Sequence, residues 1–131
     1  MFDHIGFFVS DFETSIAFYE ACLEPLGITV VQRQPDFNAA ILGGEEMFPF
    51  IWIGGTPEDG DYHGTPLKRG SNRPMHLALK APSELAVREF YSRGLASGGR
   101  CNGKPEDCGD GYFAAYLIDP DGNNIEAGIR Q

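Results

Sequence analysis

The chain has 131 residues, a length that suits one domain and is too short for two independent hydrophobic cores. Its composition is 42% hydrophobic, with ten phenylalanines and five tyrosines, which supplies enough apolar surface for a packed interior and excludes a disordered chain. The net charge of −9 repels phosphate backbones, so we expect no nucleic-acid partner. No apolar run approaches the roughly 20 residues that a membrane helix needs, so we expect no membrane association.

The N-terminus and the cysteines indicate the cellular compartment. The first six residues lack both the basic start and the apolar stretch of a secretion signal. Three cysteines are an odd number, which favours free thiols over a disulfide framework. We therefore expect a cytoplasmic protein.

The first half of the chain predicts a strand, a helix and three further strands. Residues 3–9 alternate between apolar and polar positions in the way a half-buried strand does. Ser10 and Glu13 then have the spacing of a capping box at a helix N-terminus. The apolar face of this helix comprises Phe12, Ile16, Tyr19 and Leu23. The further strands are predicted at residues 29–33, 38–42 and 48–53.

The second half repeats this order. Residues 73–80 form another alternating strand, and Ser83 can cap a second helix. The apolar face of that helix is predicted to comprise Val87, Phe90, Tyr91 and Leu95. Strands follow at residues 112–118 and 124–129, with a further strand near Arg100. The pattern predicts a single α+β domain over residues 1–131, with halves at about 1–54 and 73–131. Residues 55–72 are a Gly-, Pro- and Asp-rich linker that serves either as a lid or as a plain connection.

Two histidines occupy matching places in the two halves. His4 and His76 both stand near the start of the first strand of their half. In each strand the apolar residues alternate with the histidine, so both histidines point away from the helices. A two-fold arrangement of the halves would bring equivalent side chains together at its axis, and this favours a shared role for the two histidines.

Glu126 completes a candidate metal site. It lies in the middle of an apolar strand, and the alternation places it on the same side of the sheet as the histidines. A carboxylate in such a strand is costly to bury unless it is paired or bound to a metal. Two imidazoles and one carboxylate suit one divalent ion of Fe, Mn, Zn or Ni with open coordination positions. The alternative is a hydrogen-bonded cluster without metal.

The chain resembles the vicinal oxygen chelate superfamily, which includes glyoxalase I, fosfomycin-resistance enzymes, bleomycin-resistance proteins and extradiol dioxygenases. The resemblance covers essentially the whole chain and rests on residues 3–6, 17–19 and 75–78, and above all on 115–126 (Ala-Tyr-Leu-Ile-Asp-Pro-Asp-Gly-Asn-Asn-Ile-Glu). It implies paired βαβββ units that form a cupped mixed sheet with helices on the outer face, in a homodimer. It also implies metal ligands at His4, His76 and Glu126, either within one chain or shared across the dimer.

The individual branches of the superfamily match less well. Glyoxalase I uses a second glutamate on the last strand of the first half, and residues 48–53 contain none. The extradiol pattern has a catalytic tyrosine at the position of Tyr116, but its histidine near residues 107–109 is missing here. Fosfomycin-type transferases need cationic groups near the metal, and Lys80 lies on the His76 face.

We interpret the chain as a metal-dependent enzyme that acts as a Lewis acid on a small substrate chelated through vicinal oxygens, with its reaction unassigned. Tyr116 is the candidate catalytic hydrogen-bond donor. The candidate substrate-binding residues are Phe8, Trp52, Phe113 and Lys80. The alternative is a non-catalytic drug- or metabolite-binding protein of the bleomycin-resistance type.

Overall fold

A computed structural model describes residues 1–66 and 74–131 of the chain. These residues form two βαβββ modules. The first module contains β1 (His4–Val9), α1 (Phe12–Leu23), β2 (Thr29–Gln34), β3 (Ala39–Gly43) and β4 (Phe50–Gly55). The second contains β5 (His76–Lys80), α2 (Glu84–Ala96), β6 (Arg100–Asp107), β7 (Tyr112–Ile118) and β8 (Asn124–Arg130). The predicted α+β class is confirmed.

Each module forms its own four-stranded mixed sheet, and the two sheets have the same topology. The strand orders are β1-β4-β3-β2 and β5-β8-β7-β6. In each sheet the first and last strands of the module pair in parallel, and the other neighbours are antiparallel. The predicted strand that begins at residue 73 falls partly outside the described residues, as does the linker at 55–72, and β5 begins at His76.

The N-terminus of α1 differs from the predicted capping box. Asp11 caps the helix, because its carboxylate accepts a hydrogen bond from the Thr14 amide at 3.1 Å. Ser10 instead donates both its amide and its hydroxyl to the carboxylate of Asp121 in the turn between β7 and β8. An aspartate caps a helix as well as a serine does, and a bond to a charged acceptor is the stronger use of the Ser10 hydroxyl.

The helices bury one face each in a common core. The predicted face of α1 is confirmed, since Phe12, Ile16, Tyr19 and Leu23 are all buried. In α2 the prediction for Leu95 is wrong, because its side chain is 40% exposed. Gly94 occupies the buried place instead. It continues the helical spacing from Val87 and Phe90, and a Cβ atom at this position would overlap Leu117 of β7.

A buried polar cluster ties α1 to the start of β8. Asp119 is only 2% exposed and accepts a hydrogen bond from the hydroxyl of Tyr19. It also accepts bonds from the amides of Asp121 and Asn123, at 2.9 and 2.8 Å. Burial, followed by the charge of Asp119, raises the pKa of Tyr19 well above its usual value. These bonds fix the turn that leads into the strand carrying Glu126.

Neither helix has the length and apolar character of a bilayer-spanning segment, a finding that concerns residues 1–66 and 74–131.

Candidate metal and ligand-binding site

His76 and Glu126 form a close pair on the second sheet. Parallel pairing of β5 with β8 sets Ala78 opposite Glu126, so His76 projects from the same face one pleat away. The Nε2 atom of His76 lies 3.0 Å from Oε2 of Glu126. The Glu126 side chain is 8% exposed and that of His76 is 51% exposed, so the pair connects a buried carboxylate to an open surface.

Two tyrosines of β7 surround the carboxylate of Glu126. Tyr112 donates its hydroxyl to Oε1, while Tyr116 lies directly opposite Glu126 in the antiparallel pairing. Burial, followed by the negative charge of Glu126, raises the pKa of Tyr116 to about 12. The pKa of Tyr112 is also raised, first by burial and then by its bond to Glu126. Both hydroxyls therefore stay protonated at neutral pH and remain hydrogen-bond donors.

A glycine makes room for Tyr112. Gly128 lies on β8 two residues beyond Glu126, and a Cβ atom at this position would overlap the Tyr112 hydroxyl. The guanidinium of Arg130 lies over the Tyr112 ring, 4.2 Å from its centroid. The ring is thus held flat across the strand with its hydroxyl at Glu126, and cation–π attraction to Arg130 supports this position.

His4 lies on the first sheet and is oriented by two neighbours. Its Nδ1 atom is hydrogen-bonded to the carboxylate of Asp3, and its ring stacks on Phe50 with 4.6 Å between centroids. The bond to Asp3 occupies Nδ1, so Nε2 is the nitrogen left for a metal or ligand. A carboxylate bound to the other ring nitrogen is the usual support of a metal-binding histidine.

The three predicted ligands do not meet within one chain. Across residues 1–66 and 74–131 there is no group of three His, Cys, Asp or Glu side chains that could hold a metal ion. The structure therefore brings His76 and Glu126 together and leaves His4 on the other sheet.

The His76–Glu126 pair has the chemistry and spacing of two metal ligands. An imidazole nitrogen and a carboxylate oxygen are donors that Zn, Fe, Mn and Ni accept. The Nε2 and Oε2 atoms lie 3.0 Å apart, a separation that fits two ligands of one ion as well as a hydrogen bond without metal. The Tyr112 hydroxyl bonds Oε1, so Oε2 is the oxygen that would be left for an ion, and the chemistry of the pair fits part of a metal site.

The predicted substrate-binding residues lie in three different places. Trp52 and Phe8 pack edge to face on the open side of the first sheet, with 5.6 Å between ring centroids. Lys80 lies with Arg130 and Tyr112 around a cavity of about 690 Å³ on the second module. Phe113 belongs to the core, on the face of β7 that is covered by α2, and Arg88 of that helix lies over its ring. It therefore does not line the open face.

Tyr112 is the residue of the Glu126 environment that the sequence analysis did not single out. Its signal was available, because Tyr112 and Tyr116 are an even number of residues apart on one strand and must share a face. The contact itself depends on Gly128 of the neighbouring strand, and a pattern within β7 does not contain that information.

Comparison with known proteins identifies the family of the chain. The model of the Glyoxalase/Bleomycin resistance protein/Dioxygenase superfamily matches residues 1–127. The chain belongs to this superfamily.

Individual proteins are similar to the chain over more than nine tenths of their lengths. The uncharacterized protein YqjT of Bacillus subtilis (strain 168) is 29% identical over 128 residues, which cover 94% of each chain. A glyoxalase/bleomycin resistance protein from Albidiferax ferrireducens T118 is 30% identical, with a TM-score of 0.75 over 99% of this chain and 98% of that chain. A lactoylglutathione lyase from Agrobacterium tumefaciens is 19% identical, with a TM-score of 0.68 over 98% of this chain and 92% of that chain, and shares the fold.

The description of the superfamily joins glyoxalases, bleomycin resistance proteins and dioxygenases, so membership alone does not assign an activity to the chain. The choice between catalysis and binding depends on the groups at Glu126 and on the surface around Trp52.

Proposed function

We propose that the chain is a metal-dependent enzyme whose site is completed in a homodimer. His76 and Glu126 of one protomer and His4 of a second copy would hold one divalent ion. The observation that supports this proposal best is the nearly buried Glu126 carboxylate, which is bonded on one oxygen by Tyr112 and paired on the other with His76. A buried carboxylate needs such compensation, and a metal ion provides it most strongly.

The surface next to His4 supports the dimer. Several large apolar side chains of the first module are exposed, among them Phe2 at 64%, Met47 at 76% and Phe48 at 49%. The Phe48 ring lies 5.9 Å from that of Phe50, on which His4 stacks. An apolar surface of this kind beside a candidate ligand is typical of an interface, and a second copy that covers it could supply the rest of the site.

The ion would act as a Lewis acid toward two oxygens of a small substrate. The chain's own groups would support that chemistry. Tyr112 holds Glu126 in place, while Tyr116, which stays protonated at neutral pH, donates a hydrogen bond to an oxygen on which negative charge develops. β4 has no carboxylate, so a reaction that needs a second carboxylate as proton carrier is not supported.

Metal analysis with mixed dimers tests this proposal. Wild-type protein should bind one ion per protomer, and His4→Ala and Glu126→Ala should each bind none. A dimer that contains one chain of each variant, purified through two different tags, should regain one ion per dimer, because one of its sites is intact. If the ligands came from a single chain, the mixed dimer would bind no metal. A wild-type protein that takes up none of Fe, Mn, Zn or Ni on reconstitution would overturn the enzyme proposal.

A non-catalytic binding protein is the second candidate function. The cavity beside Trp52 on the first module favours it, since this cavity combines aromatic and acidic walls without any of the proposed metal ligands. Retention of a bound organic ligand by Glu126→Ala, together with absence of metal from the wild-type protein, would support this candidate.

A further inference from the structure

We propose that Asn123 is a positioning residue for His76, which its side chain holds in register with Glu126. Asn123 lies in the turn between β7 and β8, three residues before Glu126. Its side-chain amide bonds two partners, the backbone of Met75 and the buried carboxylate of Asp119. The position of His76 that we infer does not depend on the metal, whereas its consequence for metal binding rests on the proposed function.

The strand that carries His76 depends on its register with β8. β5 has five residues and lies at the edge of the second sheet, where β8 is its neighbour. Side chains alternate between the two faces of a strand, so a slip of one residue would turn His76 to the opposite face and away from Glu126. Five residues form few ladder bonds against such a slip. The bonds at the start of β5 therefore decide whether the two candidate ligands meet.

Two hydrogen bonds fix the residue that precedes His76. The Met75 amide donates to Oδ1 of Asn123 at 3.0 Å, and the Met75 carbonyl accepts from the Asn124 amide, also at 3.0 Å. At the far end of β5, the Ala81 amide donates to a carbonyl of β8 at 2.8 Å. The Asn123 side chain thus adds a bond at the end of the strand where His76 lies.

The side-chain amide of Asn123 suits both of its partners. The Met75 N–H requires an acceptor, and the Asp119 carboxylate requires a donor, so one side chain must provide both. Nδ2 of Asn123 lies 2.9 Å from Oδ2 of Asp119, while the backbone amide of Asn123 donates to Oδ1 at 2.8 Å. An aspartate at this position would present a second carboxylate to Asp119, and an alanine would bond neither partner.

Asp119 anchors the Asn123 side chain to the protein core. Its carboxylate is buried and also accepts a hydrogen bond from the Tyr19 hydroxyl of α1. A buried carboxylate that accepts several hydrogen bonds is held firmly, because each bond it lost would leave a polar group unsatisfied. Tyr19 and Asn123 therefore share this acceptor, but of the two it is Asn123 that also bonds the residue before β5. This difference provides a control.

Imidazole NMR signals of the metal-free protein test the position of His76. The chain has three histidines, so removal of one at a time assigns their signals. Glu126→Ala gives the reference signal of His76 without its partner. At constant pH, Asn123→Ala should move the His76 signal toward that reference, because the imidazole no longer lies beside the carboxylate. The signals of His4 and His63 should stay unchanged.

Tyr19→Phe is the matched control. It removes another donor of Asp119 and should also destabilise the fold, but it leaves the bond to Met75 in place, so the His76 signal should not move. Asn123→Asp keeps an acceptor for Met75 and should shift the His76 signal less than Asn123→Ala does. Asn123→Ser has a side chain too short to reach both partners, and it replaces Asn123→Ala if that variant does not fold.

Metal affinity, measured by competition with a chelator, is the second readout. Asn123→Ala should bind Zn²⁺ about three- to tenfold more weakly than the wild type, which corresponds to the loss of one hydrogen bond, and Tyr19→Phe should bind it as the wild type does. An unmoved His76 signal in Asn123→Ala, or equal shifts in Asn123→Ala and Tyr19→Phe, would overturn the positioning role. Unchanged Zn²⁺ affinity in Asn123→Ala would overturn its consequence for metal binding. A wild-type protein without metal would overturn the proposed function alone, since the NMR comparison uses no metal.

Discussion

Trp52 occupies in the first sheet the position that Glu126 occupies in the second. Parallel pairing sets Trp52 opposite Gly6, two residues after His4, and sets Glu126 opposite Ala78, two residues after His76. The two modules thus share a histidine at one repeat position but differ at the neighbouring one. The first module offers one candidate metal ligand and the second offers two.

Replacement of Trp52 by glutamate is expected to add a ligand. If His4 of one copy joins His76 and Glu126 of another, Trp52→Glu places a fourth donor beside the ion and should raise metal affinity by about tenfold or more, as a further charged ligand does. Competition with a chelator measures this change. Trp52→Gln removes the same indole without adding a charge, so equal affinities of the two variants would contradict the prediction.

Removal of the Tyr112 hydroxyl is expected to weaken metal binding. Tyr112→Phe leaves Oε1 of Glu126 without this donor, and loss of such a supporting bond typically costs about 10- to 100-fold in metal affinity. Gly128→Ala should have a similar effect, because the added methyl displaces the same hydroxyl.

The double variant of Tyr112→Phe and Gly128→Ala distinguishes loss of the Tyr112–Glu126 hydrogen bond from a general loss of stability. The double variant should bind metal about as well as the weaker-binding single variant, because both substitutions remove the same hydrogen bond. Tyr62→Phe, at an exposed hydroxyl, is the control and should not alter metal affinity. If the losses of binding free energy in Tyr112→Phe and Gly128→Ala added up in the double variant, the two substitutions would not act through the same bond.

Loss of the Tyr19 hydroxyl is expected to destabilise the fold. Tyr19→Phe removes one of the donors to the buried Asp119 carboxylate, which should lower the free energy of unfolding by about 1–3 kcal/mol. Urea denaturation at neutral pH measures the change, with Tyr62→Phe as the exposed control. A loss no larger than that of the control would show that Asp119 is satisfied by its other donors.

Alkaline pH is expected to destabilise the wild-type protein more than Tyr19→Phe. The pKa of Tyr19 is raised in the folded state, so its contribution to stability is complete below the ordinary tyrosine pKa of about 10 and is lost as pH rises above that value. Denaturation at pH 9 and pH 11 should show a smaller decrease for Tyr19→Phe than for the wild type. Equal decreases would mean that other groups account for the alkaline loss.

The three cysteines are expected to differ in reactivity. Cys22 is fully buried, and burial raises the pKa of its thiol, whereas Cys101 and Cys108 are exposed. A colorimetric thiol reagent at neutral pH should therefore modify two thiols rapidly in the native protein and the third only after denaturation. Rapid modification of all three in the folded protein would contradict the buried position of Cys22.

Patterns along the strands predicted the shared face of His76 and Glu126, whereas the assignment of Phe113 to the open face was wrong. Packing between the modules decided the rest. The alternation in β5 and β8 placed His76 and Glu126 on one face, and parallel pairing then made them neighbours. Equivalence in the repeat suggested that His4 would join them. It could not show that the modules keep separate sheets, because strand periodicity contains no information on how two modules pack.

The same limit explains the capping error at α1. Ser10 had a suitable local pattern, but Asp121, more than a hundred residues later in the chain, competes for its hydroxyl. A local motif cannot account for a partner that only the folded chain provides.

Gly54 and Gly128 occupy equivalent repeat positions, opposite Phe8 and Lys80, and each lets an aromatic ring of its own module lie flat across the sheet. The duplicated unit therefore contains the same recess twice, filled by an indole in one copy and a phenol in the other. The two recesses can be closed one at a time by a single methyl group. A substitution at Gly54 should therefore disturb the Trp52 surface of the first module and leave the Glu126 site of the second intact, and a substitution at Gly128 should do the reverse. The contributions of the two modules to function can be measured separately in this way.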